Sequence, residues 1–160
     1  MTPFTHLHLH TAYSVNDATA LIPDLVKRAK EMGMTSLALT DHGNLFGYEE
    51  FNSECRFYGI KPIFGCEMYV PNDDEGRRLH HLTLLAENNN GLENLIRLVD
   101  VSNSNLVNGK PSVSKESLQE YKDGLIALSG CIGGAIPRKA LEVSYDAAFA
   151  AAIGAALTRE

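Results

Sequence analysis

The sequence has few cysteines, little positive charge and no long apolar runs. Its three cysteines, Cys55, Cys66 and Cys131, are an odd number without C-x-x-C spacing. This pattern argues against a disulfide framework and indicates reduced thiols in a cytoplasmic protein. Lysine and arginine number 14 against 20 acidic residues, which gives a net charge of -6. A domain that held nucleic acid through phosphates alone would carry a basic excess, so we expect any such contact to be local or made by another domain.

The apolar segments are all shorter than the roughly 18 residues that a membrane span needs. The N-terminus MTPFTHLHLH has neither a basic start nor an apolar signal core, so we expect no secretion. Hydrophobic residues make up 44% of the 160 residues and charged residues 21%. These values are ordinary for a globular protein, and the length is enough for one domain with a hydrophobic core.

Most of the chain alternates between strand-like and helix-like hydrophobic periods. Strands are predicted at 4–10, 35–44, 60–70, 80–86 and 124–131, and Gly65 marks a point where the third could be interrupted. Helices are predicted at 22–32, 46–58, 92–99 and 144–157, and loops at 72–78 and 103–114. Repeated strand-helix units predict a parallel α/β arrangement, in which functional groups lie where the strands end.

Side chains that bind divalent transition metals lie at or near the ends of these predicted strands. They are His8, His10, Asp17, Asp41, His42, Glu67, His80, His81 and Cys131. In strand geometry residues i and i+2 share a face, so the two histidines of H-x-H project together and the alternating leucines face the other way. One strand can therefore deliver two nitrogens to one metal, or one nitrogen to each of two adjacent metals.

Each of these residues taken singly also has an ordinary structural interpretation. An isolated H-x-H is more often surface polarity, and Asp41 and His42 before Gly43 could serve turn chemistry. A cysteine is most often a small buried apolar residue, an interpretation stronger for Cys55 and Cys66 than for Cys131. His6 could be a third inward group or could lie below the site. Glu67 could face solvent, but a buried carboxylate would have to be paired or bound. The combination of these groups at successive strand ends favours a metal site.

Five motifs in this order resemble one family over residues 4–137. HLHLHTAYS, LALTDHGNLFG, GIKPIFGCEMYV, HHLTLLA and GLIALSGC are similar to those of the polymerase and histidinol phosphatase (PHP) domain. The resemblance is closest to the PHP domains at the N-terminus of bacterial DNA polymerase III alpha subunits. It implies an α/β fold, an irregular (β/α)7 barrel with a trinuclear metal cluster at the strand ends.

The resemblance also implies the site residues, position by position. The metal ligands would be His8, His10, Asp17, His42, Glu67, His81 and Cys131. Asp41 would orient ligands through hydrogen bonds, and Asp41 and His42 would act in catalysis as part of the metal cluster. A nitrogen, oxygen and sulfur ligand set suits two to three zinc or manganese ions better than calcium.

The chain departs from the family pattern at two places. Ala18 follows Asp17 where the family usually has glycine, which weakens the assignment of Asp17. No Asp-x-His motif follows Cys131, so residues 1–160 are expected to be a single PHP domain truncated at its C-terminal end. We expect that this chain alone does not polymerise DNA, and its own hydrolytic activity stays open. The parent protein would be a DNA-directed DNA polymerase that meets DNA through its other domains.

Three functions remain open from the sequence. The first is a metal-dependent phosphoesterase domain of a replicative polymerase with 3′-5′ exonuclease proofreading activity. The second is a free-standing phosphatase for small molecules such as histidinol phosphate. The third is a non-catalytic scaffold that metal stabilises. Other polymerase III subunits, including a separate proofreading exonuclease subunit, are the partners that the resemblance implies, and no membrane is among them.

Overall fold

The fold was analysed in a computed structural model, which describes residues 4–71, 78–144 and 146. The elements in chain order are α1 (Ile22–Glu31), β1 (Ser36–Leu39), α2 (Tyr48–Tyr58), β2 (Lys61–Pro71), β3 (Leu79–Ala86), α3 (Asn89–Asn103), β4 (Leu106–Val107), β5 (Lys110–Pro111), α4 (Lys115–Glu120), β6 (Leu125–Leu128) and α5 (Ala135–Glu142). None of the helices in this described part has both the length and the apolar character to cross a membrane.

Four strands form a mixed sheet in the order β1-β2-β3-β6. Only β1 and β2 are parallel, whereas β2 with β3 and β3 with β6 are antiparallel. The expectation of a parallel arrangement throughout is therefore wrong. The reason lies in the connection between β2 and β3, residues 72–78, which is shorter than the dozen or more residues that a parallel crossover needs.

The first expected strand, residues 4–10, is also wrong as regular secondary structure. The segment lies beside β1, where the amides of Ala38 and Thr40 donate to the carbonyls of His6 and Leu9 at 3.0 and 2.9 Å. The Thr40 hydroxyl, rather than a backbone carbonyl, accepts the Leu9 amide at 2.8 Å. This side-chain bond replaces a ladder bond and prevents a regular strand, while the segment still lies alongside β1.

The first two helices confirm the periodicity argument. Pro23 lies in the first turn of α1, and the helix ends before Gly33, whose φ is 77°. Gly59 caps α2 in the left-handed conformation. With β1 these helices enclose the first core, which consists of Ile22, Val26, Ala29, Met34, Leu37, Leu39, Phe51, Cys55 and Ile60.

The second core lies under α3 and the other half of the sheet. It consists of Cys66, Met68, Leu84, Leu95, Leu98 and Val113. Tyr48 at the start of α2 packs against both cores, and its hydroxyl donates to the Gly65 carbonyl at 2.9 Å. β2 runs through Gly65 without a break, because the glycine serves close packing against β3 rather than a bend.

Several segments differ from expectation in detail. The expected loop 103–114 contains the short hairpin of β4 and β5, and α4 and α5 were not expected. α4 and α5 are short helices of 6 and 8 residues, and neither buries a residue. A period of 3.6 residues is hard to recognise over one or two turns. Apart from Arg78, the expected loop 72–78 lies outside the described residues, as does the expected helix 144–157 apart from residues 144 and 146.

Candidate metal centre

Glu67 lies at the middle of the site, on β2 just beyond the end of β1. His42 continues the line of β1 and forms a parallel bridge with Glu67. The Gly43 amide donates to the Glu67 carbonyl at 3.0 Å, and the Glu67 amide donates to the Asp41 carbonyl at 3.1 Å. The Glu67 side chain is only 2% exposed. Of the two interpretations of Glu67 that the sequence allowed, a solvent-facing side chain or a buried carboxylate, the structure shows the buried carboxylate.

Four imidazoles approach the Glu67 carboxylate from three segments. His8 Nε2 and His10 Nε2 lie 2.7 and 2.8 Å from Oε2, and His42 Nδ1 lies 3.6 Å from the same oxygen. His81 Nδ1 lies 2.6 Å from the other oxygen, Oε1. The rings of His10 and His42 stack with centroids 4.3 Å apart. The alternation predicted for H-x-H therefore delivers both histidines to one carboxylate.

These side chains form two groups of three donor atoms that share Glu67. One consists of His8, His10 and Glu67, the other of His42, Glu67 and His81, and the donor atoms of each lie within 4.8 Å of one another. Imidazole nitrogens around a carboxylate oxygen are a donor set for zinc, manganese and related divalent ions. Each group therefore has the residues to hold one metal ion.

Unpartnered polar atoms support this fit. His42 Nδ1, Glu67 Oε1 and Thr83 Oγ1 are buried and have no hydrogen-bond partner among the residues that the structure describes. Thr83 lies directly opposite Glu67 across the β2–β3 ladder, so the two side chains share a face. The close approach of His81 Nδ1 to Glu67 Oε1 lacks hydrogen-bond geometry. Buried polar atoms without partners are costly, and a metal ion or an ordered water at this position would satisfy them.

Electrostatics favour the metal-binding forms of Glu67 and His42 but favour a proton on His8. Burial alone raises the pKa of Glu67, but hydrogen bonds from His10 and His8 and the charge of His42 outweigh it and hold that pKa well below its usual range. Burial lowers the pKa of His42, which favours the neutral imidazole. The hydrogen bond to Glu67 raises the pKa of His8 against the effect of burial, so a proton competes with metal there.

Asp17 and Cys131 lie at the edges of the two groups. Asp17 Oδ2 is 2.5 Å from His42 Nε2, on the opposite side of the ring from Glu67, and its side chain is 62% exposed. Cys131 Sγ lies 3.8 Å from His81 Nδ1, and the Gly133 amide donates to this sulfur at 3.3 Å. The structure therefore brings together all seven positions proposed as ligands, with these two at the exposed rim.

Asp41 is buried, and its carboxylate is held by Thr11 and Ser14. Its carboxylate accepts hydrogen bonds from the Thr11 amide at 2.7 Å and hydroxyl at 2.8 Å, and from the Ser14 hydroxyl at 2.6 Å. Ser14 Oγ lies 3.0 Å from His10 Nδ1 and accepts from the His42 amide at 3.1 Å. Asp41 thus acts on two site histidines through Ser14, which fits the expected orienting role.

Three further residues that were not predicted from the sequence belong to the site: Ser14, Thr11 and Tyr69. Tyr69 stacks on His42 with centroids 5.6 Å apart and meets the His81 ring edge-on at 5.0 Å. Two signals were available: Tyr69 is two residues after Glu67 on the same face of β2, and T-x-x-S directly follows the H-x-H segment.

The other histidines and cysteines lie outside the centre. His6 is exposed and meets the Phe4 ring. His80 points to the opposite face of β3 from His81, with Nδ1 3.3 Å from the Gly133 carbonyl oxygen. The other two thiols are buried, and burial raises the pKa of Cys55 to about 11 and that of Cys66 to about 12.

Comparison with known proteins places this geometry in a family. The sequence model of the family described as PHP domain matches residues 6–157. The DNA polymerase III subunit alpha of Borreliella burgdorferi is 42% identical over 151 residues, which are 89% of this chain and 13% of that protein. Its counterpart in Helicobacter pylori strain 26695 is 44% identical over 138 residues, 83% of this chain and 11% of that protein.

A solved structure shares the fold. It is a protein from Bifidobacterium adolescentis assigned as a metal-dependent phosphoesterase, with a TM-score of 0.51 and 21% identity. The match covers 65% of this chain and 34% of that one. At this identity the likeness concerns the fold alone. The chain spans only about an eighth of the length of these curated relatives.

Proposed function

Because this chain belongs to the PHP domain family, we propose that it is the PHP domain of a bacterial DNA polymerase III alpha subunit and acts as a metal-dependent phosphoesterase. The observation that carries this proposal is the convergence of four imidazoles on the buried Glu67 carboxylate in two three-atom groups. In the parent protein the reaction would be 3′-5′ hydrolysis of a DNA end during replication in the cytoplasm.

The proposed ligands divide between two metal positions that share Glu67. His8 and His10 complete the first position, and His42 and His81 complete the second. Asp17 beside His42 and Cys131 beside His81 add an oxygen and a sulfur at the rim, where a third ion would find donors. The mixture of nitrogen, oxygen and sulfur favours zinc or manganese as the metal.

The residues of the chain have separate roles in this chemistry. Divalent ions bound there would lower the pKa of a water molecule toward neutrality and offset charge on a phosphate. Glu67 contributes a permanent negative charge because its pKa is held low. Asp41 holds His10 and His42 in place through Ser14, so its catalytic contribution is to orientation. Asp17 and Cys131 are exposed, which leaves the centre open to a substrate on that side.

We also propose that residues 1–160 form one PHP domain and that the mixed sheet is part of an irregular (β/α)7 barrel. The match to the PHP domain family supports this part of the proposal, because the barrel is the fold that the family resemblance implies. The proposed partners are DNA, reached through other domains of the parent protein, and other polymerase III subunits including a proofreading exonuclease subunit. The names of the relatives support DNA and further polymerase III subunits as partners, and the exonuclease subunit rests on the family resemblance alone.

Metal analysis with two histidine variants tests the proposal. His8→Ala removes a nitrogen that lies 2.7 Å from Glu67, whereas His6→Ala removes an exposed imidazole two residues away. After chelation and reloading with zinc or manganese, elemental analysis should find stoichiometric metal in the wild type and in His6→Ala. His8→Ala should lose at least one ion. Equal metal content in the two variants would contradict the proposed ligands.

Hydrolysis assays then separate the candidate functions. Reloaded chain should release nucleotide from the 3′ end of a single-stranded oligonucleotide, and Glu67→Gln should abolish this release. Preference for a small phosphomonoester would point to the phosphatase alternative. Metal that raises the melting temperature without any hydrolysis would overturn the enzyme proposal in favour of a scaffold.

A further inference from the structure

A lysine lies beside the candidate centre on an aromatic side chain that borders it. Lys110 Nζ is 4.5 Å from the centroid of the Tyr69 ring. The same ring stacks on His42 and meets the edge of His81. The Tyr69 ring therefore contacts both the Lys110 ammonium group and two of the four clustered imidazoles. At this distance the ammonium is attracted to the electron-rich ring face.

The hairpin of β4 and β5 fixes this lysine in position. Asn108 and Gly109 have φ values of 54° and 75°, the left-handed pair of a tight two-residue turn that ends directly at Lys110. Two residues later the chain is anchored to β2, because Ser112 bridges Tyr69 and the Val113 amide donates to the Tyr69 carbonyl at 2.9 Å. The lysine is thus held next to Tyr69 by its backbone as well as by its side chain.

The backbone that follows Lys110 is buried, whereas the Lys110 side chain is exposed. Ser112 and Val113 are fully buried, and the Asn105 side chain donates to the Ser112 carbonyl at 3.1 Å. Lys110 itself is exposed, and no carboxylate in the described ranges forms an ion pair with it. In a chain of net charge -6, Lys110 therefore places a local positive charge beside the candidate centre.

We propose that Lys110 binds a phosphate of the substrate chain beside the metal centre, with Tyr69 as the platform that positions it. The inference rests on the proposed phosphoesterase function and adds a contact that the metal ligands do not supply. An ammonium group binds phosphate as a point charge. Each such contact releases a counterion from the nucleic acid, which makes the affinity fall more steeply as salt rises. It also gives an acidic chain the local nucleic-acid contact that its overall charge does not provide.

Binding of a defined probe tests this proposal. The probe is a fluorescein-labelled deoxythymidine hexamer with phosphorothioate linkages, and its anisotropy is followed with metal-reloaded chain. Lys110→Met keeps the apolar stem against Tyr69 and removes the charge. The matched control is Lys61→Met, which removes an exposed lysine at the start of β2, at the opposite end of that strand from Tyr69. A second variant, Lys110→Arg, keeps the positive charge at this position.

The expected result is a loss of affinity confined to Lys110→Met. At low salt we expect about three- to tenfold weaker binding, and a plot of log affinity against log salt shallower by about 0.7, the value for one phosphate contact on a single strand. Lys61→Met and Lys110→Arg should match the wild type in slope, and all melting temperatures should agree. A salt slope in Lys110→Met equal to that of Lys61→Met would overturn the role of Lys110 alone. Failure of the reloaded wild type to bind the hexamer would overturn the phosphoesterase proposal together with this one.

Discussion

Gly65→Ala tests how β2 carries the centre. A methyl group at this position would lie 2.5 Å from Leu85 Cδ2, 2.6 Å from the Leu84 carbonyl oxygen and 2.9 Å from Thr40 Cγ2. The leucine side chain can move, but the carbonyl belongs to β3 and cannot retreat without disturbing the β2–β3 ladder, in which Gly65 pairs with Leu85. Inserting one carbon into a packed site typically costs 1–3 kcal/mol. Because backbone has to give way here, we expect a loss near the top of that range, about 3 kcal/mol.

Gly33→Ala is the matched control. Nothing lies within 4 Å of a methyl group at Gly33, but its φ of +77° strains any other residue. Left-handed backbone costs an L-residue roughly 1–2 kcal/mol. For a chain of this size each kcal/mol shifts the melting temperature by about 2–4 °C, so we expect a fall of about 6–12 °C for Gly65→Ala and about 2–8 °C for Gly33→Ala.

Thermal unfolding of the metal-free chain, followed by circular dichroism, measures both variants. A Gly65→Ala chain as stable as Gly33→Ala, or within about 1 kcal/mol of the wild type, would show that β3 yields freely and would refute the reasoning. Reloading adds a second readout. Since Glu67 is two residues further along β2, displacement of the β2–β3 pair should also weaken metal binding in Gly65→Ala but not in Gly33→Ala.

The remaining predictions concern the centre itself. Asp41→Asn should weaken metal binding about 10–100-fold in a chelator competition while the fold persists, because the carboxylate orients His10 and His42 through Ser14; unchanged affinity would argue against this role. Because the pKa of His8 is raised on folding, protonated His8 stabilises the chain below about pH 6.5, and this stability is lost as pH rises through the folded value. Because the pKa of Glu67 is lowered on folding, ionised Glu67 stabilises the chain above about pH 4.3, and this stability is lost in acid. Urea titrations without metal should therefore show the largest difference between wild type and His8→Ala at about pH 4.5–6.5; a difference that grows above pH 7 would contradict the sign. In native chain at pH 8 Cys131 alone should react rapidly with a thiol reagent, because it is exposed and burial raises the pKa of the other two thiols to about 11 and about 12. Metal should slow that reaction, and a rate insensitive to metal would count against Cys131 as a ligand.

The centre was predictable because its donors follow simple spacing rules. His8 and His10 share a face by alternation, and Glu67 is an acidic residue in a largely apolar strand. These rules pointed to the strand-end donors, the family resemblance chose the seven ligands among them, and their roles as ligands stay predictions. Ser14 and Tyr69 escaped notice because serine and tyrosine are common in loops and strands, and only three-dimensional contact gives them a role here.

The sheet was harder to predict because strand direction depends on connections rather than on composition. The alternation of β2 and β3 is equally compatible with parallel and antiparallel pairing, and only the short connection between them decides. The segment 4–10 shows a different limit. Its alternation is real, but the Thr40 hydroxyl takes a hydrogen bond that a regular ladder would use, and a hydrophobic pattern carries no information about such a competitor.

The arrangement of β2 between two separate cores has a consequence for local unfolding. Half of the strand pairs with β1 over the first core, and the other half pairs with β3 over the second core. Each half of the molecule could therefore open as a cooperative unit of its own. The candidate ligands straddle this division, since His10 and His42 belong to the first half and His81 to the second. An ion bound at Glu67 would act as a cross-link between the two halves. Amide exchange should then slow in both halves, and their opening free energies should become similar.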